Sequence, residues 1–383
     1  MNDLGLYLHI PFCLRKCPYC SFYSLAGRAD LHERYARAIS LQLHACAEGQ
    51  RQQQRPRYPV TGIFFGGGTP TLLSSETLGG LLADCLDQFP CTDDEPEISI
   101  EVNPATIDAR GLAVLRRAGF NRLSIGIQSL HDAELRRLGR PHSVADAVRT
   151  VQQARAAGFA NINLDLMYGL PGQELPAWRN TLDRALALRP KHLSVYELTI
   201  EAGTPFARQQ EQGTLSLPDE ETVLLMLEQT QQVLDQAGLR RYEISNYAEP
   251  GYRCRHNINY WRNGEYFGLG AGAAAFLDGT RFTAIADAEQ FCDCLENGRG
   301  VRGEQEHLDP EAAFRETVIM GLRMTAGVSL TALHERFGIR AEDYYGETLR
   351  HLFQQGMLHI VQGRLQLTAQ GMLLANTVMA ELV

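Results

Sequence analysis

The sequence predicts an α/β protein, an incomplete (β/α) barrel followed by a C-terminal helical or winged-helix-like module. Three observations predict it. Short β-rich runs recur six times with helical patterns between them. The runs are apolar almost throughout, as strands of a parallel sheet covered by helices are. From Ala312 the texture turns mainly helical and then gives "GMLHIVQGRLQLTAQG", two strand-like runs about Gly363. Residues 1–245 are expected to form the barrel, 246–303 a connecting segment and 304–383 the module. At 383 residues the chain is long enough for such a core plus an appendage.

In chain order, "LGLYLHI" precedes a helix-like stretch from Leu31 to Ala47, "VTGIFFGG" one from Ser74 to Gln88, and "EISIEVNP" one from Asp108 to Ala118. "RLSIGIQS" is followed by Val144 to Ala157, "INLDLMYGLP" by Pro176 to Leu188, and "HLSVYELT" by Asp219 to Gln236. The polar "EGQRQQQRPRYP" around Gln52 reads as a surface loop. Residues able to do chemistry fall in or just after the strands: the first cysteines, "GGGTP", Glu101 and Asn103, Gln128, and Asp165. In a β/α barrel those positions form the rim where sites are built. A doubly wound open sheet also places its site at strand C-termini.

The formal charge of −9, from 36 basic and 45 acidic residues, argues against a protein whose task is gripping nucleic-acid phosphates. The C-terminal module follows suit, with six Arg and no Lys against ten acidic residues from Glu304 to Val383. Packing or substrate covering is the expected role of that module, and a winged-helix regulator sensing redox state is a disfavoured alternative. The longest apolar run, "GLGAGAAAFL" from Gly268, is about half the ~20 residues of a spanning helix, so no integral membrane segment is expected. The start of the chain leaves no room for a signal peptide, which predicts a cytoplasmic, reducing location. Nine unevenly spread cysteines then read as ligands or buried thiols.

Cys13, Cys17 and Cys20 lie within eight residues, in "LYLHIPFCLRKCPYCSF". Soft thiolates so spaced select zinc, copper or an iron–sulfur cluster. Structural zinc takes four protein ligands, and after Cys20 the next cysteine is far away at Cys46. A [4Fe-4S] cube on three cysteines leaves one iron open to a small chelating ligand. The alternative is a zinc centre completed by a distant histidine. Cys292 and Cys294, two residues apart without partners, read as incidental.

"YLHIPFCLRKCPYCSF", "FFGGGTPT", "SIEVNP", "GIQSL", "LDLMYGLPGQ" and "HNINYW" together resemble the radical S-adenosylmethionine superfamily. Within it the chain is similar to the branch that contains oxygen-independent coproporphyrinogen III oxidases and HemW-type haem chaperones. The likeness runs from Tyr7 to about Gly272 and extends to the C-terminal module. It implies a [4Fe-4S] cluster on Cys13, Cys17 and Cys20, with S-adenosylmethionine chelating the open iron. It implies Tyr7, Tyr19, Gly67 and Glu101 around a first S-adenosylmethionine, and Gly68, Thr69, Gln128, Arg140 and Asp165 around a second. Gly66, Gly67 and Gly68, lacking side chains, are expected to let the backbone approach the methionyl portion. Glu101 at a strand end suits a ribose diol, and an ion pair within the barrel is the bland alternative for both Glu101 and Asp165. His9 is expected close behind the cluster.

The oxidase branch carries a further cysteine two residues after the third, where this chain has Phe22, and in this it resembles the haem chaperones. That resemblance implies haem as cargo, client haemoproteins such as membrane respiratory enzymes, an electron donor protein and a homodimer. In "CRHNINYW", which matches the HemW-type "HNxxYW", His256 is a candidate axial ligand and Tyr260 and Trp261 offer flat surface, with Arg253 and Arg255 as partners for propionates. Chains of this type commonly carry a histidine where Ala274 stands here. An oxidase acting on coproporphyrinogen III is the enzyme alternative.

Overall fold

The structure is a computed structural model that describes residues 4–52, 59–91 and 96–383. Its first strand, β1 (Leu4–Ile10), alternates sharply: Leu4, Leu6, Leu8 and Ile10 are buried beneath helices, whereas Gly5, Tyr7 and His9 point the other way. Two-residue strands β2 (Phe12–Cys13) and β3 (Leu25–Ala26) pair in parallel and close the cysteine loop at its base. Helix α1 (His32–Gln52) returns the chain to β4 (Val60–Gly67). The pattern repeats through α2 (Ser75–Gln88), β5 (Glu97–Val102), α3 (Ala109–Ala118), β6 (Arg122–Gln128), the short α4 (Asp132–Arg137), α5 (Val144–Ala156), β7 (Asn161–Tyr168), α6 (Leu175–Ala187) and β8 (His192–Glu197). After α7 (Pro205–Glu211), α8 (Glu220–Gln236) packs beside α6. There the Trp178 indole N–H donates to Met226 O at 3.1 Å and Thr230 Oγ1 at 2.9 Å.

The six expected strands all form and lie in parallel, with pairings β1–β4–β5–β6–β7–β8. A seventh parallel strand was not foreseen. It is β11 (Glu265–Leu269), which pairs with β1 on the side away from β4. Its run "EYFGL" is short and half-buried, so the pattern alone gave no strand signal. Residues 246–307 add further strands to the sheet: β10 (Asn246–Ala248) beside β8, then α9 (Arg255–Trp261), β11, β12 (Ala274–Leu277), β13 (Thr280–Ala284), helix α10 (Ala288–Glu296) and β14 (Arg302–His307). With β9 (Arg240–Arg241) the sheet has twelve strands in the order β14-β13-β12-β11-β1-β4-β5-β6-β7-β8-β10-β9. It stays open at both edges, an incomplete barrel.

The strands are not apolar on both faces. Their outer side chains fill the main core under the helices, but the inner face carries Glu97, Ser99, Glu101, Arg122, Ser124, Asn163, Asp165, His192 and Ser194. Polar residues at period two inside a curved parallel sheet mark an interior that is wet or holds a ligand.

Helix α11 (Pro310–Leu322) opens the C-terminal module, which has its own hydrophobic cluster from Phe314 to Leu382. Strand β15 (Val328–Ser329) leads into α12 (Leu330–Phe337) and α13 (Ala341–Gln354), and β16 (Leu358–Val361) and β17 (Arg364–Leu367) form the expected hairpin. Its two-residue turn, Gln362 and Gly363, has φ of 51° and 70°, the left-handed pair that fits the twist of a tight hairpin. The polar loop around Gln52 differs from expectation in that α1 continues to Gln52, and its remainder at 53–58 lies outside the described residues. Among the described residues no helix is long and apolar enough to cross a membrane.

Candidate functional site at the strand C-termini

The cysteine loop leaves β1 at the mouth of the sheet. The three thiols lie close enough that Cys17 and Cys20 act on the ionisation of Cys13, although burial is the larger influence raising it. Burial likewise raises the Cys20 thiol. Donors from neighbouring strands reach the sulfurs. Thr69 Oγ1 lies 3.9 Å from Cys13 Sγ, and Arg140 Nη1 lies 3.8 Å from Cys17 Sγ. Arg140 is set by its other nitrogen, which donates to Gly126 O at 2.9 Å and to Asn103 Oδ1. Asn103 in turn donates to Thr69 Oγ1. Tyr19, its hydroxyl beside Cys17 and Arg140, is held neutral chiefly by burial. Gln128 sits at a register shift at the end of β6 with φ of 69°, which turns it into this group.

These residues fit an iron–sulfur cube. Cationic and hydroxyl donors aimed at sulfur suit a charged thiolate set, and Arg140 Nε is buried without a hydrogen-bond partner among the described residues. No three His, Cys, Asp or Glu side chains among the described residues converge as one metal ion requires, whereas a cube takes each thiolate at a separate iron.

Beside the loop, the Tyr7 hydroxyl is 3.0 Å from His9 Nδ1, and His9 Nε2 is 3.2 Å from Tyr23 O. The glycine run at the end of β4 has a packing reason first. A Cβ at Gly66 would come within 3.1 Å of the Glu101 carboxyl, at Gly67 within 2.6 Å of the His9 ring, and at Gly68 within 2.7 Å of the Phe12 backbone oxygen. The Gly67 N–H is already occupied, donating to Glu101 Oε2 at 3.0 Å. Burial, and then the charge of Asp165, push the Glu101 carboxyl up to about 8. Burial also raises Asp165, against hydrogen bonds from Ser194, Asn163 and Ser124. The buried Arg122 cation pulls both acids down, a weaker influence than the burial that raises them.

Deeper in the barrel, Asn163 Nδ2 donates to Asp165 at 2.7 Å, His192 Nδ1 donates to Asn163 Oδ1 at 2.6 Å, and Tyr242 OH donates to His192 Nε2 at 2.8 Å. Glu97 caps α9, accepting from the Arg255 backbone N–H at 3.1 Å and from Cys254 Sγ at 3.4 Å. This sets His256 into the barrel floor, stacked on Phe64 and Tyr7 and edge-on to Tyr260. His256 is 4% exposed, and neither ring nitrogen has a partner among the described residues. Trp261 turns away from it, towards the C-terminal module, where Arg323 covers its ring at 4.5 Å. Arg253 lies over the Tyr242 ring, and Arg253 and Arg255 are both exposed. Cys292 and Cys294 are buried on α10. Phe22 is 69% exposed at the cysteine loop.

The structure therefore gathers Cys13, Cys17, Cys20, Tyr19, Thr69, Gln128 and Arg140 at one place and Tyr7, Gly67 and Glu101 next to it, with Gly68 between them. It separates Trp261 from His256 and Tyr260. Glu97, Arg122, Phe64 and Arg323 escaped sequence reasoning. For Glu97 and Arg122 the signal was present, since "EISIE" and "RLSIG" place charged residues at period two in buried strands.

Comparison with known proteins agrees with this arrangement. The family described as Radical SAM superfamily matches residues 7–185, and HemN C-terminal domain matches residues 308–374. A Bacillus subtilis protein named heme chaperone HemW is 36% identical over 373 residues, covering 97% of each chain. The Escherichia coli protein of that name is 42% identical over 286 residues, 73% of this chain and 72% of its own. Among solved structures, coproporphyrinogen III oxidase (HemN) from Escherichia coli, described as a radical SAM enzyme, superposes with a TM-score of 0.84 at 25% identity. That match covers all of this chain and 90% of the oxidase. By its near-full-length identity to the Bacillus protein, the chain belongs to the HemW family within the radical S-adenosylmethionine superfamily.

Proposed function

We propose that this protein is a haem chaperone that binds haem and passes it to client haemoproteins. The observation that carries the reading is the 36% identity, over 97% of both chains, to a protein named heme chaperone HemW. Its resident cofactors are those of its superfamily, a [4Fe-4S] cluster and S-adenosylmethionine. Cys13, Cys17 and Cys20 hold the cluster, with Thr69 and Arg140 donating towards the thiolates. Tyr7, Tyr19, Gly67 and Glu101 surround one S-adenosylmethionine, and Gly68, Thr69, Gln128, Arg140 and Asp165 a second. Bound there, the pair supplies one-electron reductive cleavage chemistry, and the protein's part is position and exclusion of water. His256, with Tyr260 beside it, is the candidate iron ligand. The exposed Phe22, in place of a fourth cysteine, supports the chaperone reading over the oxidase one.

In finer detail we propose a cytoplasmic location, clients among membrane respiratory enzymes, an electron donor protein, and a homodimer. The division into a barrel and a C-terminal module is supported by their separate hydrophobic clusters. The deciding experiment is anaerobic. Reconstituted protein is titrated with haem and, separately, incubated with coproporphyrinogen III. A Soret shift without porphyrinogen turnover supports the chaperone reading. Turnover without haem binding overturns it in favour of the oxidase.

A further inference from the structure

Where the barrel floor meets the C-terminal module, two elements bring donors together that nothing in the protein uses. Trp261 ends α9, and Arg323 follows the last residue of α11. The Arg323 backbone is fixed at both ends, its carbonyl accepting from Ile244 N at 3.0 Å and its N–H donating to Met320 O at 3.2 Å. Next door, the Thr325 N–H donates to Tyr242 O at 3.0 Å, so the module is stitched to the barrel at this point. The Arg323 guanidinium lies 4.5 Å from the centre of the Trp261 ring, a cation–π arrangement.

Arg323 Nε, Trp261 Nε1 and Glu243 Oε2 are all buried, and none has a hydrogen-bond partner among the described residues. Orphaned buried polar atoms are rare, and two of these three, Arg323 Nε and Trp261 Nε1, are donors that an acceptor would satisfy. Glu243 is fully buried and is the acidic group facing Arg323. Its Oε1 is already taken by Ser245 N at 3.1 Å and by Asn246, and burial raises its carboxyl towards the neutral form, which lessens its opposition to a second carboxylate. A planar guanidinium beside an indole N–H presents converging donors to a carboxylate, with an aromatic face alongside.

We propose that Arg323 and Trp261 form a subsite for a carboxylate of the bound tetrapyrrole, so that the C-terminal module holds a haem propionate at the barrel floor. This rests on the haem-binding reading above and replaces Arg253 and Arg255, both exposed, as the propionate partners.

Haem and its dimethyl ester, which lacks the propionate charges, separate this subsite from haem affinity in general. Both are titrated into cluster-loaded wild type and into Arg323→Gln, Arg323→Lys and Trp261→Phe. Wild type is expected to bind haem about tenfold or more tightly than the ester, an ordinary effect for a charge-assisted pair. Arg323→Gln is expected to bind the two alike with ester affinity unchanged. Trp261→Phe, which keeps the ring and loses the N–H, and Arg323→Lys, which keeps the charge and loses the fork, each reduce the preference. They carry the test if Arg323→Gln fails to fold. Wild type without a preference, or variants that keep the full preference, overturn the subsite while leaving the haem reading intact. Wild type that binds neither ligand removes the haem reading and this subsite with it.

Discussion

The imidazole of His256 stacks on the Phe64 ring with centroids 4.8 Å apart and planes 21° from parallel, and both of its nitrogens are buried without a partner among the described residues. Burial, and then the charge of Arg122, hold this histidine down to about 3, so it is neutral at working pH, the form that ligates metal. In the unfolded chain it takes up a proton near its ordinary value of ~6.5. Between those values the unfolded state binds more protons, and stability must fall as pH drops below about 6.5. Denaturant unfolding of the metal-free protein at pH 7 and pH 5 should show that loss, and His256→Gln should lessen it. The same variant should lose most of the Soret shift on haem addition.

Substituting any one of Cys13, Cys17 or Cys20 by Ala should remove most of the cluster iron, because a cube on two thiolates has two open corners. Iron and sulfide analysis after anaerobic reconstitution measures it. A full cluster in any of the three variants contradicts the ligand assignment.

Gly67→Ala is expected to destabilise the protein by about 1–3 kcal/mol, from a left-handed backbone and from crowding at the His9 ring. Gly67 has φ of 112°, and an added Cβ would lie 2.6 Å from that ring. Thermal unfolding of the metal-free form reads the loss. Gly49→Ala, where nothing lies within 4 Å of the new Cβ, is the control and should not lower stability.

Glu101 titrates upwards, to about 8, because it is buried and faces Asp165. A raised carboxyl means that the folded state holds a proton that the unfolded chain has released above its ordinary ~4.3, so this residue costs increasing stability as pH rises from there to about 8. Glu101→Gln should therefore gain stability over wild type, little at pH 5 and most near pH 8. A constant difference across that range would mean that Glu101 is ionised throughout.

Much of this was legible because it is local. Six strands, their helices and the Gly363 hairpin follow from runs of a few residues each, and the cysteine spacing carries its own chemistry. What was hidden depends on the far side of the sheet. The run "EYFGL" becomes a strand only because β1 offers it an unpaired edge. The glycine run at the end of β4 was read for a ligand's approach, and its packing against the Glu101 carboxyl, the His9 ring and the Phe12 backbone comes from strands and loops that the run itself does not announce. Arg323 lies 62 residues beyond Trp261 in sequence, and no pattern in either stretch announces that one will cover the other.

The central claim is that bound haem is cargo. Haem-loaded protein, prepared without oxygen, is mixed with an apo-haemoprotein and the two are separated. Haem recovered on the acceptor, with its native absorbance and with the donor depleted in step, is the predicted result. Haem that stays with the donor while free haem loads the same acceptor would contradict the claim.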